Sequence, residues 1–480
     1  MSETTSHPGD SLGLVRGLGF WATTAVVVGS MIGQSVFLVG SDVARQSGSP
    51  VKCLVLWIVG GIVVLFGAFC YAELGAAMPE AGGDYVYQSR GIGRTLGFLY
   101  GWTSSMILKP GSAAIIAAGF SRLATFLWPS SAVPILAWQL KLPLHPQFYR
   151  IVLSEAQLWA AALVVIATLI NYFGIRTAGR FQIVLTASKV IAVAAIVVLG
   201  LVLGKAGGGG LAAPSAPLRT GMSAVLTALV PIMMAYNGFG VLGNVGGEIV
   251  KPRKNLPRAA IVGTASVVGL YALINWTYFR ILGFSQVAQS EHVASDVLAA
   301  LMGSRAAMLM TVAMMVSAFG SLHANLLVSP RVPYAMARDG TFFSLAKRIQ
   351  PVFHTPSGAL IFEGSAAVLF VLTGTYQDIY SVVMFAHWIF YAFTAAALIG
   401  LRSREPDLPR AYRAWGYPLT PLIFGLTALA ISVNLWLVRP MRSSIGLLII
   451  LLSLPFFYYW RKKQTTAVVS QNHVLKVVTS

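Results

Sequence analysis

Two stretches of this 480-residue chain can do chemistry without a reactive side chain. One is Val28-Gly29-Ser30-Met31-Ile32-Gly33-Gln34-Ser35-Val36-Phe37. The other is Ala235-Tyr236-Asn237-Gly238-Phe239-Gly240-Val241-Leu242-Gly243-Asn244. Both set glycines inside apolar, helix-length runs, where each costs about 1 kcal/mol relative to alanine. Small residues let membrane helices pack closely, which is one explanation. The other is deliberate unwinding. Where a helix breaks in hydrocarbon, its orphaned amides and carbonyls must find new partners. Amides at a half-helix start suit a carboxylate and freed carbonyls suit an ammonium group, so together they suit a zwitterion such as an α-amino acid. Interruptions at matching places in two halves of a chain point to a transporter's central site.

Ionisable and polar residues inside other apolar runs are further candidates. Lys189 lies some eight residues into its run, about 12 Å along a helix. A lysine there costs roughly 2.5–3.5 kcal/mol on insertion scales and should face the interior with partners; snorkelling to the interface is the alternative. Lys109 stands beside Pro110 and either supports the site from behind or bonds the carbonyls that the proline frees. Ser317, Ser321 and Asn325 are four apart and share one helix face, lining a pathway or joining helices. His387 and Glu363 are titratable groups within runs, and each has a structural alternative. Glu73 and Glu248 lie near helix ends and are expected to pair with loop arginines. No nucleotide-binding loop and no metal-spaced cluster is present. No catalytic residue, metal, cofactor or enzymatic activity is expected.

These residues need elements to hold them. Hydrophobic residues make up 56% of the chain and charged ones 10%, against about a quarter charged in soluble domains. A large soluble enzyme and a secreted disulfide scaffold are excluded. Twelve apolar runs recur from Leu18–Ala44 to Ile445–Trp460, most of them helix-length and none alternating as barrel strands do. The expected fold is an all-α membrane protein of about twelve transmembrane helices in the lipid bilayer. Net charge is +19, but the basic residues form short clusters flanking apolar runs, such as Lys251-Pro252-Arg253-Lys254 and Arg461-Lys462-Lys463. That is topology information rather than a nucleic-acid surface, and most Lys and Arg fall inside when both termini are cytoplasmic. The expected divisions are a cytoplasmic tail 1–16, a five-helix repeat 17–203, an external glycine-rich loop 204–221, a second repeat 222–402, two further helices 403–460 and a loosely ordered cytoplasmic tail 461–480. Within the long connection 330–356, Tyr334–Arg338 is expected to form a short helix.

Several of these stretches resemble the amino acid–polyamine–organocation superfamily, most closely its L-type amino-acid transporters. Gly33-Gln34-Ser35-Val36-Phe37 is similar to the family's unwound G-S-G-I-F segment. Further matches are Gly48-Ser49-Pro50, Tyr71-Ala72-Glu73-Leu74-Gly75, Gly82-Gly83-Asp84-Tyr85, Ile107-Leu108-Lys109-Pro110-Gly111, Ala235-Tyr236-Asn237-Gly238-Phe239, Glu248–Pro257 and Pro333–Gly340. The resemblance spans roughly Gly17 to Val438. It implies a five-plus-five inverted repeat with broken helices 1 and 6, two extra carboxyl-terminal helices, and alternating access in the cell membrane.

By the same resemblance, the substrate carboxylate meets amides near Gly33, Gln34 and Ser35, and the ammonium meets carbonyls near Met31, Met234 and Asn237. Met234 caps the side-chain pocket and Tyr236 gates or lines it, unless these two are packed core residues. Lys189 matches a lysine that holds the place of a sodium ion, which implies sodium-independent exchange of neutral amino acids. Proton-coupled uptake of amino acids or polyamines, with Lys189 or His387 titrating, is the alternative within transport; a sensor without significant flux is the alternative outside it. Gln34 and Ser35 depart from the family's G-S-G spacing. Animal L-type members join a glycoprotein through a cysteine between spans three and four; none lies between Leu123 and Leu158 here, so that disulfide-linked partner is not expected.

Overall fold

The computed structural model describes residues 18–33, 35–78, 83–141, 148–173, 190–204, 221–242, 249–353, 355–374 and 376–478. Among them, eight helices are long and apolar enough to cross a membrane, and shorter apolar helices fall on the remaining runs. The first span is broken into α1 (Phe20–Met31), α2 (Ser35–Leu38) and α3 (Gly40–Ser47). α4 (Pro50–Ala77) is continuous, with Pro50 in the first turn, where its missing N–H leaves no helical bond unmade. After α5 (Asp84–Gly91), the third span runs as α6 (Arg94–Thr103), a π-helical turn over Ser104–Leu108, and α7 (Lys109–Leu127).

A two-stranded antiparallel hairpin then joins β1 (Pro134–Lys141) to β2 (Phe148–Ser154). Helix-length apolar runs give no sign of it, because each strand is too short to register in such a window. α8 (Glu155–Tyr172) begins on a capping box: Ser154 receives the Gln157 amide, and the Gln157 side chain accepts the Ser154 N–H at 2.9 Å. The chain continues with α9 (Val190–Val202) and α10 (Met222–Ala235), then α11 (Pro252–Leu282), α12 (Phe284–Gln289) and α13 (Val293–Met302). α14 (Ser304–Val328) leads through α15 (Arg331–Arg338) to α16 (Ser357–Thr373), α17 (Tyr376–Arg404), α18 (Leu419–Val438) and α19 (Pro440–Val478). The short helix expected over Tyr334–Arg338 is therefore present. α19 continues to Val478 through the polar stretch after Arg461, where no glycine or proline follows Pro455 to stop a helix.

Large apolar side chains point outward around the bundle; Val202, Leu309 and Leu437 are 74%, 73% and 76% exposed. Such a surface needs hydrocarbon rather than water around it. The fold is an all-α membrane protein in which the first and sixth spans are interrupted.

Candidate functional site

The first break begins where Ile32 leaves helical geometry at φ −74°, ψ 99°. The second follows α10, where a turn covers 236–240 and the Asn237 amide donates to Met234 O at 3.0 Å. The two breaks touch. Ser30 Oγ donates to Val27 O at 2.9 Å and to Gly238 O at 3.1 Å. Gly238 sits at φ +126°, and an added Cβ would lie 2.3 Å from Ser30 O. Only glycine satisfies both constraints. Gly33 differs: a Cβ there would meet nothing nearer than Ser35 N at 4.0 Å. Close packing explains Gly238 but not Gly33, which borders open space.

A third helix closes the joint. Tyr271 on α11 donates its hydroxyl to Met31 O at 2.9 Å and approaches Ala235 O at 3.4 Å, so one side chain holds carbonyls of both breaks. Its ring stacks on Tyr236 at 5.2 Å, and Trp57 stands edge-on to both. Tyr236 is fully buried and gives its hydroxyl to Trp57 O at 3.0 Å. It thus packs behind the joint and does not line the cavity in front.

That cavity, of about 700 Å³, is bounded by Met31, Gly33, Ser35, Met234 and Asn237, together with Lys109, Ser321 and His387. Those eight sequence candidates share one space. Ser317 lies one turn deeper on α14, buried, with its carbonyl accepting Ser321 Oγ at 3.0 Å. Gln34, Lys189 and Glu248 lie outside the described residues. Ala25 and Ser30 are exposed through the cavity, whereas Val36, Phe37, Leu38 and Val39 beyond the break are buried. The space therefore opens along α1 toward the chain's amino-terminal end and is shut at the other.

Sequence reasoning missed Asp84. This carboxylate borders the cavity and accepts hydrogen bonds from Tyr71 at 2.5 Å, Thr394 at 2.6 Å and Tyr100 at 3.3 Å. Burial pushes its carboxyl upward, while the bonds from Thr394 and Tyr71 and the charge of Lys109 oppose that shift. Tyr391 completes this wall, donating to Asn237 Oδ1 at 2.9 Å. The Gly82-Gly83-Asp84-Tyr85 motif was the available signal, but nothing in its spacing shows that the loop after span two folds back to the cavity.

Glycine-broken spans that meet at one cavity in a membrane bundle call for comparison with known transporters. The family described as Amino acid permease matches residues 18–458. This chain belongs to that family. Among curated proteins, the permease is 30% identical to the Large neutral amino acids transporter small subunit 2 of Mus musculus, over 94% of this chain and 82% of that protein. It is 27% identical to the b(0,+)-type amino acid transporter 1 of Mus musculus, over 88% and 82%. It is 28% identical to the Asc-type amino acid transporter 1 of Rattus norvegicus, over 93% and 81%.

One expectation for this permease follows from the joint. Tyr271→Phe removes the single hydroxyl that holds both breaks and leaves two buried carbonyls short of a donor. The expected loss is about 1–3 kcal/mol, read as a lower thermal midpoint together with weaker protection by substrate. An unchanged midpoint and unchanged substrate protection would show that the hydroxyl does not hold the breaks.

Proposed function

We propose that the permease exchanges neutral amino acids across the cell membrane without sodium, by alternating access around the two breaks, with both termini cytoplasmic. The observation that carries this is the joint itself: the two interrupted helices touch, and residues of both line one cavity. The substrate carboxylate is assigned to the backbone at Gly33, Gln34 and Ser35, and its ammonium to carbonyls at Met31, Met234 and Asn237. Met31 O already accepts one bond from Tyr271, and a carbonyl has a second lone pair to offer. Met234 borders the space left for the side chain. With the amino terminus inside, the open end of the cavity is the cytoplasmic one.

The curated relatives are named as amino-acid transporters, one of them for large neutral amino acids, which supports the substrate class. Lys189 is proposed to stand where a sodium ion would sit. The chain's two cysteines, Cys53 and Cys70, are both buried in α4, which supports function without a disulfide-linked glycoprotein. No enzymatic step is proposed.

Proteoliposomes test the reading. Uptake of labelled amino acid is expected to require unlabelled amino acid inside and to be unchanged when choline replaces sodium. Uptake into empty vesicles driven by an imposed pH gradient would replace exchange with symport. Substrate binding in detergent with no flux in vesicles would instead identify a sensor.

A further inference from the structure

The hairpin between α7 and α8 has two unlike faces. By its pairing register, Leu136, Trp138 and Leu140 of β1 stand opposite Leu153, Ile151 and Tyr149 of β2. Residues paired across the ladder share a face, and successive residues alternate between faces. These six positions therefore form one face, and none of them carries a charge. The opposite face takes Gln139, Lys141 and Arg150. Among the described side chains of the apolar face, Leu153 beside α8 is partly covered, whereas Leu136 and Trp138 are 48% and 52% exposed.

The hairpin's place in the fold points to what covers that face. β2 runs into α8 without a loop, Ser154 being both its last residue and the helix cap. Trp128, just past the end of α7, is exposed and meets Trp159 of α8 edge-on at 5.5 Å. Aromatic rings at the ends of spans mark the boundary between hydrocarbon and water. Leu158 in the first turn of α8, and Ile166 and Leu169 further along it, are exposed as well, so the lipid-facing side of α8 leads directly to the hairpin. The cavity is shut at this end of the bundle: Phe126 of α7 packs on His292 at 5.4 Å, and nearby Ala288 accepts Arg45 of α3 at 3.0 Å.

A bare apolar face is a liability in water, where a lone two-stranded hairpin is marginal in any case. The hydrocarbon interior is closed to it too, because the outer edges of the hairpin present unpaired amides and carbonyls. The boundary layer meets both needs, with acyl chains for one face and headgroups and water for the other face and the edges. We propose that the hairpin lies flat on the membrane at the shut end of the cavity, with the face of Leu136 and Trp138 set into the headgroup–acyl boundary of phospholipid and the face of Gln139, Lys141 and Arg150 turned to water.

Fluorescence quenching tests this on the full chain in phosphatidylcholine vesicles. Cys53 and Cys70 are buried, so Leu136→Cys and Gln139→Cys can each take a single fluorophore. With a nitroxide on the upper acyl chain of the lipid, the label at 136 should be quenched several-fold more than the label at 139, and aqueous iodide should show the reverse order. Equal quenching of the two labels by either agent would overturn the proposal. So would a label at 136 that neither agent reaches, because a second copy of the chain or another protein would then cover the face. A further readout needs no label: in vesicles of brominated phosphatidylcholine, Trp138→Phe should remove part of the tryptophan emission that the bromines quench. An unchanged amount of quenched emission would overturn the proposal even if neither cysteine variant folds.

Discussion

Gly238→Ala is expected to abolish exchange and to lower the thermal midpoint at the same time. At φ +126° a residue with a Cβ pays about 1–3 kcal/mol in backbone strain. The methyl would also lie 2.3 Å from Ser30 O and 3.0 Å from the Met31 amide. Both neighbours are main chain, so no side-chain rotation relieves the clash. The two breaks must part, and the Ser30 Oγ bond to Gly238 O goes with them. Gly33→Ala separates this effect from a general intolerance of alanine. Its Cβ enters open space, so the melt should hold while the methyl occupies room at the proposed carboxylate position and substrate protection falls. Melting curves in detergent, with and without amino acid, distinguish the two. Exchange by Gly238→Ala at the unaltered rate would show that contact between the breaks is not required.

The unequal roles of these glycines show how far the sequence reaches. Glycine's cost in a helix interior is local, so both interruptions can be located from composition and spacing alone. Whether a glycine serves packing or opens a cavity depends on what faces it across space, and only the fold separates Gly238 from Gly33. The same limit explains the tyrosines. Tyr236 follows directly on a broken helix and is a natural candidate for the cavity wall, yet helical phase turns it onto Tyr271 and Trp57. Tyr271 lies in an uninterrupted apolar run with nothing to mark it, and it acts through carbonyls 240 and 36 residues away in sequence. Lys109 is legible as an intramembrane cation, but its place on the wall of the shared cavity is not. Both the hairpin after α7 and the helical continuation of α19 lie outside apolar runs, where hydropathy carries no signal.

Replacing Glu73 is expected to be severely destabilising, because this one carboxylate holds three parts of the bundle together. Glu73 lies near the end of α4, fully buried. Arg402 of α17 grips its carboxylate with two bonds, Nε at 2.8 Å and Nη2 at 2.6 Å, and Arg410 approaches to 3.4 Å. The Ala414 amide donates to it at 2.6 Å, and Arg402 lies 3.8 Å over the Tyr417 ring. The second span, the tenth span and the connection that follows are thus joined at a single point. Removing one partner of a buried ion pair costs about 3–5 kcal/mol, most of it from the charge left behind without a partner. In Glu73→Gln that burden falls on Arg410, whose side chain is 3% exposed, more than on Arg402, at 18%. A double-mutant cycle separates this anchor from mere bulk. Glu73→Gln and Arg402→Met should each lower the melting point, and the pair together should lower it by less than the sum, because contacting partners are not additive. Additive losses would show that Arg402 contributes through its stack on Tyr417 and not through Glu73. The anchor lies at the end of the bundle toward which the cavity opens, and α17 also carries His387 and Tyr391 into that cavity. Loosening it should therefore also lower the exchange rate in whatever Glu73→Gln protein survives purification.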